Sequence, residues 1–270
     1  METGIKLRTK TLFNPEDGRT VTVALDHGSI VGPIEGIENP RKVVKECISG
    51  GADAILTTKG IVKATIDEWP ASVALVLRLS GGFTLLGGKE FTEEIISEAE
   101  TALRYGAAWA AMTVKFGHAE EGRLIKQASL TIDRCHALGL PVMLEVMAKG
   151  SLEGKLFAPN DPTAIKMAAR MGSELGADVI KTYYTGNKDT FREVVEGCPI
   201  PILILGGAHH SVKRQFFQDI ADSLEAGGKG IAMGRNVWGE GQCEAMLQAI
   251  KGLVHNHWSV DEACARVSLE

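Results

Sequence analysis

The sequence predicts a (β/α)8 TIM barrel, an α/β fold, and three observations carry that expectation. Short apolar runs alternate with longer segments whose apolar residues recur at spacings of three and four, the pattern of repeated strand–helix units. A helix between successive strands makes those strands parallel, because a parallel pair needs a long crossover. The junctions Gly51-Ala52-Asp53, Gly106-Ala107, Gly176-Ala177-Asp178 and Gly227-Gly228 repeat one punctuation, a glycine closing a helix just before a strand. A chain of 270 residues suits such a barrel. The alternative, an open doubly wound sheet, lacks its Gly-x-Gly-x-x-Gly fingerprint after the first strand.

The elements follow in order. Residues 1–20 form a cap segment, and its turn-rich stretch Leu12-Phe13-Asn14-Pro15-Glu16-Asp17-Gly18 has apolar neighbours suited to plugging the barrel bottom. The first strand is Val21–Asp26, followed by an amphipathic helix over Pro40–Ser49. Strands then fall at Ala52–Thr57 and Ser72–Arg78, with a helix over Thr92–Tyr105. Ala108–Val114 leads to a helix at Gly122–Leu138, and Pro141–Val146 to one at Pro162–Leu175. Ala177–Thr182, Ile200–Leu205 and Gly230–Met233 complete the strands, with helices over Asp189–Glu196, Ser211–Glu225 and Gly241–Val254. Residues 255–270, with His255, His257 and Trp258, read as a helical tail packed outside. No polar, Pro- or Gly-rich linker interrupts the pattern, so residues 1–270 are expected to be one domain.

Composition excludes several function classes. Lys plus Arg number 29 against 34 for Asp plus Glu, and the net charge of −5 gives no footprint for nucleic acid or an anionic membrane. Five scattered cysteines without a Cys-x-x-Cys pair read as reduced thiols. Met1 to Lys6 lack an apolar signal core, and no run is long enough to span a membrane. A cytoplasmic protein is expected.

Chemistry in such a barrel collects at the C-terminal strand ends. The sixth strand carries Lys181 there. An ammonium losing solvation at a buried strand end is easier to deprotonate, and the free amine attacks carbonyls. Side chains alternate along a strand, so Val179, Lys181 and Tyr183 share a face, as do Met143, Glu145 and Met147, and Thr22, Ala24 and Asp26. Asp26 and Glu145 could move the protons of imine chemistry. Equally, Lys181 could snorkel to the rim, Asp26 could cap its turn, and Glu145 could simply pair with Lys149 or Lys181. Asp26 and His27 are adjacent and diverge, a poor chelate, and no metal is expected. Leu205-Gly206-Gly207-Ala208 and Met233-Gly234-Arg235-Asn236 leave backbone N–H groups open to an anion, with Arg235 as cation and the following helices adding their dipoles. His27 and Lys59 join Gly206, Gly207, Gly234 and Arg235 as candidates for binding substrate or phosphate. Lys59, Ser80, Lys115, His118 and Lys149 are candidates for a second pocket.

Asp26-His27-Gly28 with Gly32-Pro33, Lys59-Gly60-Ile61, Ile180 through Tyr184, Gly197-Cys198-Pro199, Gly206-Gly207 and Met233 through Asn236 carry a resemblance almost end to end. The chain resembles the class I aldolase family that includes archaeal-type fructose-bisphosphate aldolase, aminodideoxyheptulosonate synthase and the autoinducer-2-phosphate thiolase. The resemblance implies a metal-independent Schiff base on Lys181, needing no separate cofactor, with Asp26 assisting. It also implies a phosphorylated ketose or ketone held by the glycine turns and Arg235, and a homo-oligomer, pentameric or decameric. One position departs: the aldolase and synthase members carry a proton-transferring tyrosine where this chain has Met147. Glu145 is then expected to move the hydroxyl proton. A coenzyme A-dependent thiolase on a phosphorylated diketone and a non-catalytic sugar-phosphate-binding protein stand as alternatives.

Overall fold

The computed structural model describes residues 2–87, 92–149, 151, 152, 155–207, 212–239 and 241–267. Eight parallel strands close into a barrel: β1 (Thr20–Ala24), β2 (Ala54–Thr57), β3 (Ala74–Arg78), β4 (Trp109–Phe116), β5 (Val142–Ala148), β6 (Val179–Tyr183), β7 (Ile202–Leu205) and β8 (Gly230–Met233). Each strand pairs with its sequence neighbours, and β1 closes against β8 through Thr20 to Val23 beside Gly230 to Met233.

Alternation along the strands divides the core in two. Ala54 and Leu56, Ala74 and Val76, Trp109 and Ala111, Met143, Val179, Leu203 and Ala232 fill the barrel interior. Their strand neighbours, such as Ile55, Leu75, Val142 and Ile180, pack outward against the helices. The helix Glu2–Leu12 seals the bottom: Leu12 joins the interior cluster, Phe13 meets Trp109 edge-on at 6.3 Å, and the Trp109 indole N–H donates to the Arg8 carbonyl. His255 ties cap to barrel, its ring nitrogens 2.7 Å from Asp17 and 2.9 Å from Asp53. The helix Val260–Val267 packs against the helices Cys243–His255 and Lys213–Glu225, and 268–270 lie outside the described residues.

The glycine punctuation has its physical reason in the backbone. Gly51, Gly106, Gly176 and Gly227 have φ of 88°, 73°, 97° and 104°, a region that costs any Cβ-bearing residue strain.

One sequence expectation needs correction. The helix expected over Thr92–Tyr105 forms only at Ala99–Arg104, because Glu94–Ile95 pairs antiparallel with Ser80–Gly81. Glu93 and Glu94 are drawn to Arg78 and Arg123, so long-range ion pairs override a helical spacing that local sequence permits. The helix after β7 runs from Lys213 to Glu225; its expected start at Ser211, like Ala208 in the glycine turn and Gly150 after β5, lies outside the described residues.

Candidate active site

Strand register assembles the site. Glu145 on β5 stands beside Thr113 on β4 and Lys181 on β6, all on the inward face set by Met143, Ala111 and Val179 below them. Lys181 is buried, with Nζ 3.4 Å from Glu145 Oε1. The other oxygen, Oε2, accepts from the Thr113 hydroxyl at 2.9 Å and from Arg78 Nη1 at 3.0 Å. Burial works against charge on Glu145, but Lys181 and Arg78 outweigh it with the hydrogen bonds and hold its carboxyl at about 2.

Arg78 ends β3 on the inward face of Ala74 and Val76, and it is the hub of the site. Its guanidinium reaches Asp26 at 3.4 Å, Glu145 at 3.0 Å and Glu93 at 3.4 Å, while Nε donates to the Ser80 carbonyl. Burial alone would oppose its charge; the carboxylates of Asp26, Glu145 and Glu93 reverse this and raise its pKa above the ordinary value. Asp26, two residues beyond β1, also lies 3.5 Å from His27 Nδ1. The His27 ring packs edge-on against Trp238, and burial lowers its pKa despite Asp26.

Two cavities meet at the lysine. One, about 350 Å³, is lined by Asp26, Arg78, Glu93, Thr113, Lys115, Met147 and Lys149. The other, about 110 Å³, is lined by Tyr183, Leu205, Gly206, Gly207, Gly234 and Arg235. His27, Glu145 and Lys181 line both. In the smaller cavity a side chain on Gly234 would meet the Ala24 carbonyl and the His27 ring at 2.6 Å, and Gly207 holds φ of 58° beneath the Tyr183 ring. Only glycine fits this approach. Exposed Arg235 donates to the Gly207 carbonyl at 2.8 Å, and Asn236 Nδ2 donates to that of Gly206. The helix opened by Arg235 is a single turn ending at Trp238, so the expected dipole behind the Gly234 turn is small; backbone N–H groups and the guanidinium remain as anion donors.

The structure brings together Lys181, Asp26, Glu145, His27, Gly206, Gly207, Gly234 and Arg235. Lys59 is not among them. Itself exposed, it opens the helix Lys59–Thr65, and its ammonium donates to the Ile96 carbonyl. Of the second-pocket candidates, Lys115 and Lys149 line the large cavity, and Ser80 contacts it through Arg78 and Thr113. His118 instead accepts from the Glu120 backbone. Sequence reasoning missed Arg78, Glu93 and Thr113 as site residues. Strand alternation was a sufficient signal for Arg78 and Thr113; Glu93 gave none, because its place depends on the hairpin.

Residues 20–240 match the family described as DeoC/LacD family aldolase. The chain belongs to that family. The aldolase is 31% identical to an uncharacterized aldolase of Saccharolobus solfataricus, over 96% of this chain and 97% of the relative. It is 32% identical to the 3-hydroxy-5-phosphonooxypentane-2,4-dione thiolase of an Enterobacter species, over 97% and 85%. Among solved structures it is similar to an archaeal fructose-1,6-bisphosphate aldolase whose catalytic lysine is covalently bound to the carbinolamine intermediate of the substrate. That likeness has 27% identity and a TM-score of 0.83, and covers 93% of this chain and 99% of the other. The chain is a class I aldolase, an enzyme of the lysine-imine kind. The non-catalytic alternative falls with that finding.

Proposed function

We propose that this aldolase makes or breaks a C–C bond in a phosphorylated ketose or ketone through an imine on Lys181, without a resident metal. The observation that carries the reading is the buried amine at the junction of two cavities, one lined by glycine turns and Arg235, the other by charged side chains. A phosphorylated ketone placed with its anion at Gly206, Gly207, Gly234 and Arg235 presents its carbonyl to Nζ and its far end to the larger cavity. Nζ adds to the carbonyl carbon, the carbinolamine hydroxyl takes a proton and leaves as water, and an iminium remains as the electron sink. Asp26, lining the same cavity beside Arg78 and His27, is the proposed handler of those protons. Glu145 is the counter-ion of the lysine, balancing the ammonium before reaction and the iminium after it. This departs from the expectation that Glu145 moves the hydroxyl proton, since a carboxyl held at about 2 is a poor proton carrier near neutrality.

The experiment isolates the ketone half. Wild-type enzyme in D2O is expected to exchange deuterium into the α-carbon of dihydroxyacetone phosphate, read as loss of the proton signal, with Lys181→Ala inert and EDTA without effect. Exchange that persists in the variant or stops with EDTA contradicts the reading. A second reading, acyl transfer from a phosphorylated diketone to coenzyme A, is favoured by the thiolase relative and by Met147, which cannot carry a proton; stimulation of turnover by coenzyme A would select it. The proposal further includes one domain over residues 1–270, a cytoplasmic location, no partnership with nucleic acid or membrane, and a homo-oligomer, pentameric or decameric by resemblance.

A further inference from the structure

Cleaving a β-hydroxy imine releases a hydroxyl proton, and forming the bond requires it back, so the larger cavity needs a group that can hold a proton near neutrality. Its lining narrows the choice. Met147 cannot transfer one, Arg78 holds its proton too tightly, and Glu145 is held at about 2. Glu93 differs from both other carboxylates there. Its residue is 2% exposed, carried in by the hairpin of Ser80–Gly81 and Glu94–Ile95, and lines the cavity with Lys115 and Arg78. Oε1 lies 3.4 Å from Arg78 Nη2 and 3.9 Å from Lys115 Nζ, whereas Oε2 is buried with no hydrogen-bond partner among the described residues. An orphaned carboxylate oxygen in a closed site costs free energy unless a proton or a ligand hydroxyl meets it.

We infer that Glu93 is the catalytic residue that exchanges a proton with the hydroxyl of the aldehyde half, Oε2 being the atom that meets it. The inference rests on the imine reading above. In cleavage, the Glu93 carboxylate takes the proton from the hydroxyl on the carbon β to the iminium carbon. The freed electron pair becomes the aldehyde C=O, the bond between the α- and β-carbons breaks, and its pair neutralises the iminium as an enamine. In condensation the protonated Glu93 returns the proton as the C–C bond forms. Burial raises the Glu93 pKa from the usual carboxylate value, outweighing Arg78, Lys115 and the Ser80 hydroxyl, and the Glu145 carboxylate adds to the rise. The groups facing Glu93 thus span β3, β4, β5 and its own hairpin, and Arg123 of the helix Glu121–Ala137 reaches only its backbone carbonyl.

The test uses Glu93→Gln and Glu93→Asp, borohydride trapping with dihydroxyacetone phosphate, and cleavage of whichever phosphorylated ketose the wild type turns over fastest. Glu93→Gln is expected to keep the trapped adduct while kcat for cleavage falls about 10²–10⁴-fold. The limb of the wild-type profile that rises with pH, where Glu93 becomes a base, should vanish. Glu93→Asp should restore part of the rate and the limb. Unchanged kcat in Glu93→Gln, a retained limb, or loss of the adduct in that variant would each overturn the inference. Absence of an adduct in the wild type would instead overturn the imine reading beneath it.

Discussion

Replacing Lys181 with alanine is expected to lower C–C bond turnover by about 10⁴-fold or more, which corresponds to about 5 kcal/mol of transition-state stabilisation. Among the described residues Lys181 is the one lysine that lines both cavities. Lys115 is held beside Glu93 and over the Phe83 ring, and both it and Lys149 line the larger cavity and not the one built by the glycine turns. The substitution removes no group from the turns of Gly206, Gly207 and Gly234 or from Arg235. Dihydroxyacetone phosphate should therefore still bind within about tenfold of wild type, read by calorimetry. Turnover within tenfold of wild type would contradict the assignment.

Replacing Arg78 with leucine is expected to cost about 3–5 kcal/mol of stability, because it leaves Asp26, Glu93 and Glu145 buried around a missing cation. The pH dependence carries a second readout. The Glu145 carboxyl moves from an ordinary 4.5 to about 2 on folding, worth about 3 kcal/mol. Since its folded value lies below the unfolded one, that contribution is present above pH 4.5 and is lost as pH falls to 2. Without Arg78 part of the depression disappears, and the variant's stability should vary less steeply across that window. Lysine at 78 should recover only part, because an ammonium cannot reproduce the planar fork that meets Glu145, Glu93 and Thr113 together. Denaturant melts from pH 2 to 7 check this; a loss below 1 kcal/mol for leucine would show that the hub is not holding the carboxylates.

The barrel was legible because its information is local: apolar runs of strand length, amphipathic spacing, and glycine where the chain must turn left-handed. The inward face of β6 was legible for the same reason. Val179 and Lys181 differ by one strand period, so a core residue below dictates a site residue above. That logic applies equally to Arg78 above Val76 and Thr113 above Ala111, which the same alternation places on the inward face. Lys59 was misplaced because the chain turns into a helix at that residue, so strand alternation no longer governs where it points. Glu93 was illegible. Its position depends on a strand pair fourteen or so residues apart in sequence, and on cations donated by β3 and β4, none of which local spacing encodes.

The central claim is that Lys181 is the nucleophile, and borohydride reduction tests it most directly. Wild-type enzyme treated with dihydroxyacetone phosphate and borohydride should gain the mass of one reduced ketone phosphate per chain, inactivate irreversibly, and yield a single modified peptide with the adduct on Lys181. Lys181→Ala should gain nothing. An adduct mapped to Lys115 or Lys149, or equal labelling of wild type and variant, would contradict the account.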